Sequence, residues 1–392
     1  MIRRLKGLYH LIIALVANIW FGFPAKKITI IGVTGTDGKT TTTTLIYEIL
    51  KSAGYKVSMI STVHAVIGGT SYDTGFHVTT PDSFFIQGYI RKAVDHGDTH
   101  MILEVTSHGL AQHRVFGIPF AIGVITNVTH EHLDWHKTFK EYLNTKISLL
   151  TRSKVAVINR DESELFNTAM PLLRSREVFT YGIRRQAKIT PTLYPFSTKL
   201  LGEFNRYNCL AAIAAVSALG VPFSVTKKVI AGFSGVLGRM EVITTKPFTV
   251  IVDFAHTPNA IDRALRSAKK LTKKRVIHVF GSAGLRDHSK RPLMGRASSQ
   301  YAHTIILTEE DYRTEDVTVI MDAIQTGIKS SVPVYRYPNR GKAIAYALSI
   351  ARPGDLVIIT GKGHERSLCR GTKEYPWSDQ AEVRKLLHIK AS

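Results

Sequence analysis

Gly35-Thr36-Asp37-Gly38-Lys39-Thr40-Thr41 stands between an apolar, β-branched run over residues 28–33 and a helical pattern carried by Leu45, Ile46, Ile49 and Leu50. A strand, a glycine-rich turn, a lysine and a row of hydroxyls make a strand–loop–helix suited to phosphate. Gly35 and Gly38 let the backbone turn its N–H groups inward, and the helix N-terminus adds partial positive charge. Lys39 can reach the β- and γ-phosphates of a nucleotide, and the Thr40 hydroxyl can ligate magnesium. The strict P-loop pattern asks for glycine at position 33, where this chain has Val33, so the match to that general pattern is imperfect. A glycine-rich turn that binds nothing is the bland alternative; the flanking strand, helix and Lys-Thr pair weigh against it.

Three further residues could complete a metal–phosphate centre. Glu104 ends the apolar strand of Met101, Ile102 and Leu103, the end at which open parallel sheets place ligand-binding groups. His132 follows another apolar strand, and Lys146 sits in the next helix. A carboxylate, a threonine hydroxyl and phosphate oxygens suit magnesium, a hard cation. His132 and His136 are spaced like zinc ligands on a helix, but position 133 is leucine where that motif needs glutamate. Zinc is therefore set aside, and His130 and His136 are read as polar loop residues. By position alone Lys146 is an ordinary helix lysine.

These groups need a scaffold of alternating strands and helices. Strands are expected at 28–33, 57–61, 101–105, 121–127 and 155–158, with helices over 82–95, 139–150 and the alanine-rich 206–219. That pattern predicts an α/β fold: a central P-loop-type ATPase domain with a parallel-rich sheet, spanning residues 26–240. After Gly238-Arg239-Met240-Glu241 the pattern restarts. Strands at 248–253, 275–280, 303–308 and 356–360 and helices near 259–271, 316–329 and 340–351 predict a C-terminal Rossmann-like α/β domain over 241–392.

Composition agrees with a globular, multi-domain chain: 392 residues, 44% hydrophobic and 21% charged. Lysine and arginine number 52 against 30 acidic residues, a net charge of +22 that favours nucleotides, polyphosphates, carboxylates, anionic lipid or nucleic acid as partners. No basic repeat interleaved with aromatics and no zinc-finger spacing is present, so nucleic acid is not expected. Cys209 and Cys369, far apart, fit a reducing cytoplasm better than a disulfide framework. At the N-terminus, Arg3, Arg4 and Lys6 precede an apolar stretch from Leu8 to Phe23, and Lys26-Lys27 follow. Its roughly 16 apolar residues fall short of the ~20 that span a bilayer. Two readings of residues 1–25 stay open: a helix packed on the first domain, or an interfacial helix at the inner face of the membrane.

Gly32-Val33-Thr34-Gly35-Thr36-Asp37-Gly38-Lys39-Thr40, Thr79-Thr80-Pro81, Glu104-Val105-Thr106-Ser107-His108-Gly109-Leu110, the segment from Asn127 to His136, and Lys146 together resemble the Mur ligases, most closely the MurE branch. The likeness continues through Gly202-Glu203-Phe204-Asn205, Gly238-Arg239-Met240-Glu241, Asp253-Phe254-Ala255-His256-Thr257-Pro258 and Gly361-Lys362-Gly363-His364-Glu365, in the family's order over about residues 28–385. The resemblance implies an ATP- and Mg2+-dependent, ADP-forming ligase of peptidoglycan precursor synthesis. A muramoyl-dipeptide carboxylate would become an acyl phosphate, and an amino acid's amine would then displace phosphate to form an amide. By the same likeness Gly35, Thr36, Asp37, Gly38, Lys39, Thr40 and Thr41, with Asn205, Arg239 and Asp253, would bind ATP as the C-terminal domain closes. Thr40, Glu104, His132 and a carbamylated Lys146 would hold magnesium, making Lys39, Glu104, His132 and Lys146 the catalytic set. Thr79, Thr80, Ser107 and Arg114 would grip the muramoyl dipeptide, and Arg313, Gly363 and Glu365 the incoming amino acid. A monomer is expected.

Departures from the family pattern narrow these expectations. Asp37 stands where Mur ligases usually carry asparagine, adding negative charge beside phosphate. The Asp-Asn-Pro-Arg motif of the branch that adds meso-diaminopimelate corresponds here to Glu310-Asp311-Tyr312-Arg313, in which only Arg313 is retained cleanly. Diaminopimelate is favoured, with L-lysine as the alternative because Asp311 suits an amine. The family's N-terminal uridine-binding domain has no counterpart before residue 28, which raises the expectation of a lipid-linked acceptor. A folyl- or poly-γ-glutamate synthetase of the same superfamily is the nearest competing function. A P-loop motor on nucleic acid is a more distant one that leaves Lys146 and the second α/β domain unexplained.

Overall fold

The computed structural model describes residues 2–72, 80–129 and 138–389. The chain divides into two compact units, Met1–Ser234 and Gly235–Ser392.

In the first unit the strands are β1 (Thr29–Thr34), β2 (Val57–Ile60), β3 (Ala65–Ile67), β4 (Thr70–Tyr72), β5 (His100–Glu104), β6 (Phe120–Ile125), β7 (Val155–Asn159) and β8 (Glu177–Tyr181). They form one sheet in the order β4-β3-β2-β5-β1-β6-β7-β8, parallel from β2 to β8, with β3 and β4 added antiparallel at one edge. The helices are α1 (Ile2–Trp20), α2 (Lys39–Ser52), α3 (Ser83–His96), α4 (Ser107–Ala111), α5 (Phe139–Thr151), α6 (Ser163–Ala169), α7 (Glu203–Ser217) and α8 (Phe223–Gly232). The central strands are covered on both faces, which is why β1, β5, β6 and β7 read as unbroken apolar runs rather than alternating ones. One face packs Ile31, Val33 and Ile102 against α2 and α7; the other packs Ile30, Met101 and Leu103 against α3. Because β1 lies between β5 and β6, the chain turns to opposite sides of the sheet beyond its carboxyl end. That crevice is where α/β sheets bind ligands, and the loop 35–38 occupies it.

The second unit contains β9 (Glu241–Thr244), β10 (Thr249–Asp253), β11 (Val276–Phe280), β12 (Thr304–Thr308), β13 (Val334–Tyr337) and β14 (Leu356–Thr360) in the order β13-β12-β11-β14-β10-β9. All pairings are parallel except the edge pair β9–β10. A separate hairpin joins β15 (Ser367–Arg370) and β16 (Lys373–Pro376). Helices α9 (Pro258–Leu271), α10 (Lys290–Ser298), α11 (Val317–Gln325), α12 (Arg340–Ile350) and α13 (Asp379–Leu386) complete the unit. The expected α/β architecture with parallel-rich sheets is observed in both units.

Candidate active site

The first-unit residues expected to do chemistry gather at the carboxyl ends of β1, β5 and β6. Gly38 caps α2 in the left-handed region (φ 77°) and brings no side-chain acceptor of its own, so an anion is the natural cap for the first turn. Thr41 is buried in that turn. A Cβ built on Gly35 would overlap the Thr126 hydroxyl, and one on Gly38 would overlap the Asn208 side chain, so both positions need glycine. The Asp37 backbone is clasped by β6 and the residues after it. Its N–H donates to Asn127 Oδ1 at 3.0 Å, and its carbonyl accepts from Thr126 Oγ1 at 2.6 Å and Asn127 Nδ2 at 3.1 Å. Thr36 Oγ1 pairs with the Tyr142 hydroxyl at 3.1 Å and accepts from Thr129 N–H at 3.0 Å.

Two lysines converge on this loop. Lys39 Nζ donates to the carbonyls of Gly35 (3.1 Å) and Thr36 (2.9 Å). Lys146, buried on α5, donates to the same Gly35 carbonyl at 2.6 Å and lies 4.6 Å from the Tyr142 ring centroid. Thr40 Oγ1 donates to Glu104 Oε1 at 3.1 Å, and Thr62 holds the same carboxylate through its N–H to Oε2 (2.8 Å) and its hydroxyl to Oε1 (2.8 Å). Behind Glu104, Thr80 donates to the Glu104 carbonyl at 3.2 Å and accepts from Thr106 N–H at 2.9 Å. Arg114 Nη1 donates to the Thr80 carbonyl at 2.6 Å; burial lowers the pKa of its guanidinium, whose Nε has no partner among the described residues. Ser107 is buried at the start of α4, which Thr106 caps. Asn205 on α7 donates to the Leu201 carbonyl at 2.7 Å and accepts from Asn208 at 2.8 Å, linking it to the residue that abuts Gly38. Thr79 and His132, with His130 and His136, lie outside the described residues.

In the second unit Arg239 stacks its guanidinium over Phe254, 4.5 Å from the ring centroid. Asp253 accepts from Met240 N–H (2.7 Å) and Ala255 N–H (2.9 Å), so it organises the turns on either side of it. Gly238 packs backbone to backbone on Gly363 and His364, which joins the turn bearing Arg239 to the loop bearing Glu365. Burial, with the Arg239 charge second, pushes the His364 pKa down to about 3. Lys362 is buried between Asp311 (2.7 Å) and Glu365 (2.5 Å); burial opposes its charge, and the two carboxylates hold its pKa above the ordinary value. Beside them Glu310 is buried, which raises its pKa, and its Oε2 has no hydrogen-bond partner among the described residues. Arg313 is held in the left-handed region (φ 55°) by its N–H to the Cys369 carbonyl (3.2 Å) and by Gly371 N–H to its own carbonyl (2.6 Å). That conformation costs an L-residue about 1–2 kcal/mol, and the Arg313 Nε is unpartnered among the described residues.

Residues 33–216 match the Mur ligase middle domain, and residues 238–363 match the Mur ligase glutamate ligase domain. The UDP-N-acetylmuramoyl-L-alanyl-D-glutamate–2,6-diaminopimelate ligase of Aquifex aeolicus is 38% identical over 95% of this chain and 80% of its own. The chain belongs to the Mur ligase family. A UDP-N-acetylmuramyl-tripeptide synthetase of Roseiflexus is 36% identical over 96% of this Mur ligase and 81% of its own length. Among solved structures, a UDP-N-acetylmuramoyl-L-alanyl-D-glutamate–2,6-diaminopimelate ligase superposes with a TM-score of 0.63 at 30% identity, covering 92% of this chain and 78% of the other. The folylpolyglutamate synthase of Mycobacterium tuberculosis superposes with a TM-score of 0.74 over 97% and 96% of the two chains; at 16% identity that shows the fold alone.

This Mur ligase is an ATP-dependent, ADP-forming enzyme that uses Mg2+. Its residues fit both. The N-terminus of α2 is capped by Gly38 without a side-chain acceptor, which suits phosphate, and Thr40 with Glu104 offers the hard oxygen donors magnesium prefers. Sequence reasoning does not single out Thr62, Thr126, Asn127, Tyr142 or Asn208 as site residues. Asn127 sits inside a family motif and Asn208 lies three residues beyond one, but Thr62 and Tyr142 are reached only through the fold, 42 residues from Glu104 and 106 from Thr36.

Proposed function

We propose that this Mur ligase joins a diamino acid, meso-diaminopimelate or L-lysine, to the free carboxylate of a muramoyl dipeptide. A carboxylate oxygen bonds to the γ-phosphorus of ATP as the bond to ADP breaks. The amine then attacks the acyl carbon, phosphate leaves with the acyl–oxygen electron pair, and the nitrogen gives up a proton. Lys39 would turn from the loop carbonyls to the β- and γ-phosphates, Thr40 and Glu104 would hold magnesium, and Thr36, Asp37, Gly38 and Thr41 would frame the nucleotide. Magnesium bound there would supply charge neutralisation at the phosphates; positioning and charge neutralisation are most of what phosphoryl transfer asks. His132 and a carbamylated Lys146 complete the metal site, with Asn205, Arg239 and Asp253 on the nucleotide. Thr79, Thr80, Ser107 and Arg114 receive the dipeptide, and Arg313, Gly363 and Glu365 the zwitterionic end of the diamino acid. The enzyme acts as a monomer at the inner face of the cytoplasmic membrane, which it touches through residues 1–25.

The convergence of Lys39, Lys146, Thr40 and Glu104 on one loop carries this reading. Phosphate release measured with muramoyl dipeptide and a panel of amino acids tests it. Release that needs both the dipeptide and a diamino acid is expected. Release driven by glutamate with a folate acceptor, or by nucleic acid alone, would overturn it.

A further inference from the structure

Helix α1 lies on α3 with the wrong face outward for a helix that ends its interactions there. Ala14, Ala17 and Asn18 are buried beneath it, and the small side chains let it sit close. Asn18 fixes its register: its amide donates to the Phe116 carbonyl (3.0 Å) and accepts from Gln87 Nε2 (3.1 Å). Phe21 meets Phe84 edge-on, 6.2 Å between ring centroids. Leu11 and Ile13 are half-buried, but other large apolar residues point away. Tyr9, Ile12, Val16 and Ile19 recur every three or four residues along one exposed stripe, with Trp20 beside it at 76% exposure and Phe23 exposed in the turn that follows the helix. Phe84 and Phe85 on α3 extend the exposed apolar surface. A surface helix ordinarily buries that stripe and exposes its small and polar positions.

We propose that this ridge is a docking surface for an anionic lipid bilayer, entered at the headgroup boundary with α1 lying in its plane. No described helix is long and apolar enough to cross a membrane, and Asn18 ties the other face of α1 to the protein, so the helix lies on the bilayer and does not span it. Tyr9, Trp20 and Phe23 are the residue types that settle at the membrane–water boundary. Charge points to the lipid class. In sequence Arg3, Arg4 and Lys6 precede the stripe and Lys26 and Lys27 follow it, and the first acidic residue of the chain is Asp37. Lys26 and Lys27 are exposed, with the Lys26 ammonium 4.7 Å from the Phe23 ring centroid, which puts cation and aromatic at one level. A second copy of this chain is a poor occupant: a two-fold contact would set these basic flanks against each other in molecules already carrying +22. The proposal rests on the peripheral contact of residues 1–25 and not on the ligase assignment.

The test is flotation of the full chain with vesicles of phosphatidylcholine alone or with about 30% phosphatidylglycerol, an anionic fraction that gives basic segments a surface potential to sense. Tryptophan emission is followed in parallel. Binding to the anionic vesicles, weakened by salt and accompanied by a blue shift, is expected. Ile19→Asp with Trp20→Ser should weaken it about tenfold or more, and Lys26→Glu with Lys27→Glu about fivefold per charge. Both variants should keep the parent's urea midpoint and its phosphate release with soluble substrates, so loss of docking is read separately from loss of fold or of ligase activity. Failure to bind either vesicle would overturn the proposal. So would binding unchanged by Ile19→Asp with Trp20→Ser, or a dimer in solution that those substitutions convert to monomer.

Discussion

Arg313 and Lys146 are the side chains at which the proposed roles can be tested one residue at a time. Arg313 keeps a left-handed backbone, pinned by Cys369 and Gly371, and its Nε has no hydrogen-bond partner among the described residues. Strain of this kind at a polar site argues for a positioning role. Arg313→Gly relieves the backbone but removes the cation. Urea unfolding should show stability unchanged or raised by up to about 1 kcal/mol, while the KM for the amino acid rises about 10- to 100-fold through the lost charge-assisted bonds. A parallel loss of stability would mean that the residue serves packing. Lys146 places an amine 2.6 Å from the Gly35 carbonyl, inside a phosphate loop that already holds Lys39. Carbamylation would replace that second cation with the oxygen ligand a hard metal prefers. Removing bicarbonate and CO2 should therefore slow the enzyme reversibly, and Lys146→Met should lower kcat about 100-fold or more and abolish the bicarbonate dependence.

At the scale of elements, the junction of β1, the loop and α2 holds its shape because α7 presses Asn208 against Gly38. Gly54, at the other end of α2, also has a positive φ of 88°, but a Cβ there meets nothing within 4 Å. Gly54→Ala should cost about 1 kcal/mol of backbone strain, whereas Gly38→Ala should add the Asn208 overlap and cost about 2–3 kcal/mol by denaturant unfolding. Equal costs would show that Asn208 simply moves aside. These elements were legible in sequence where burial on both faces wrote an unbroken apolar run, as in β5, β6 and β14, or where one face repeated at helical spacing, as in α3 and α9. The rest was not written that way. The hairpin of β3 and β4 is only three residues per strand, and the edge strand β13 exposes Tyr335 and Arg336, so neither carries a full pattern. Helix α10 contains Pro292 and Gly295; Gly295 lies against the Ile324 carbonyl of α11, a tertiary reason for glycine that no local rule supplies. The phosphate loop and Glu104 could be read directly, but Thr62, which orients that carboxylate, required the sheet that brings β2 beside β5.

For the whole molecule, an excess of 22 positive charges makes acid the vulnerable side, because every carboxylate protonated adds to self-repulsion. Glu315 is the clearest contributor. Its hydrogen bonds from Arg291, at 2.5 and 2.8 Å, bring its pKa from the ordinary glutamate range down to about 2. A carboxylate depressed in the folded state stabilises above its unfolded pKa, and that stability is lost as pH falls through the folded value. The second unit should therefore lose about 2–3 kcal/mol between roughly pH 5 and pH 2 from this pair alone. Glu315→Gln should be less stable than the parent at pH 7 and nearly equal to it near pH 2. Ligation requires that the acceptor carboxylate become an acyl phosphate before the amine attacks it. Oxygen-18 in the acceptor carboxylate tests that claim most directly. One labelled oxygen should appear in the released phosphate for each amide formed; phosphate released without label would contradict acyl-phosphate ligation.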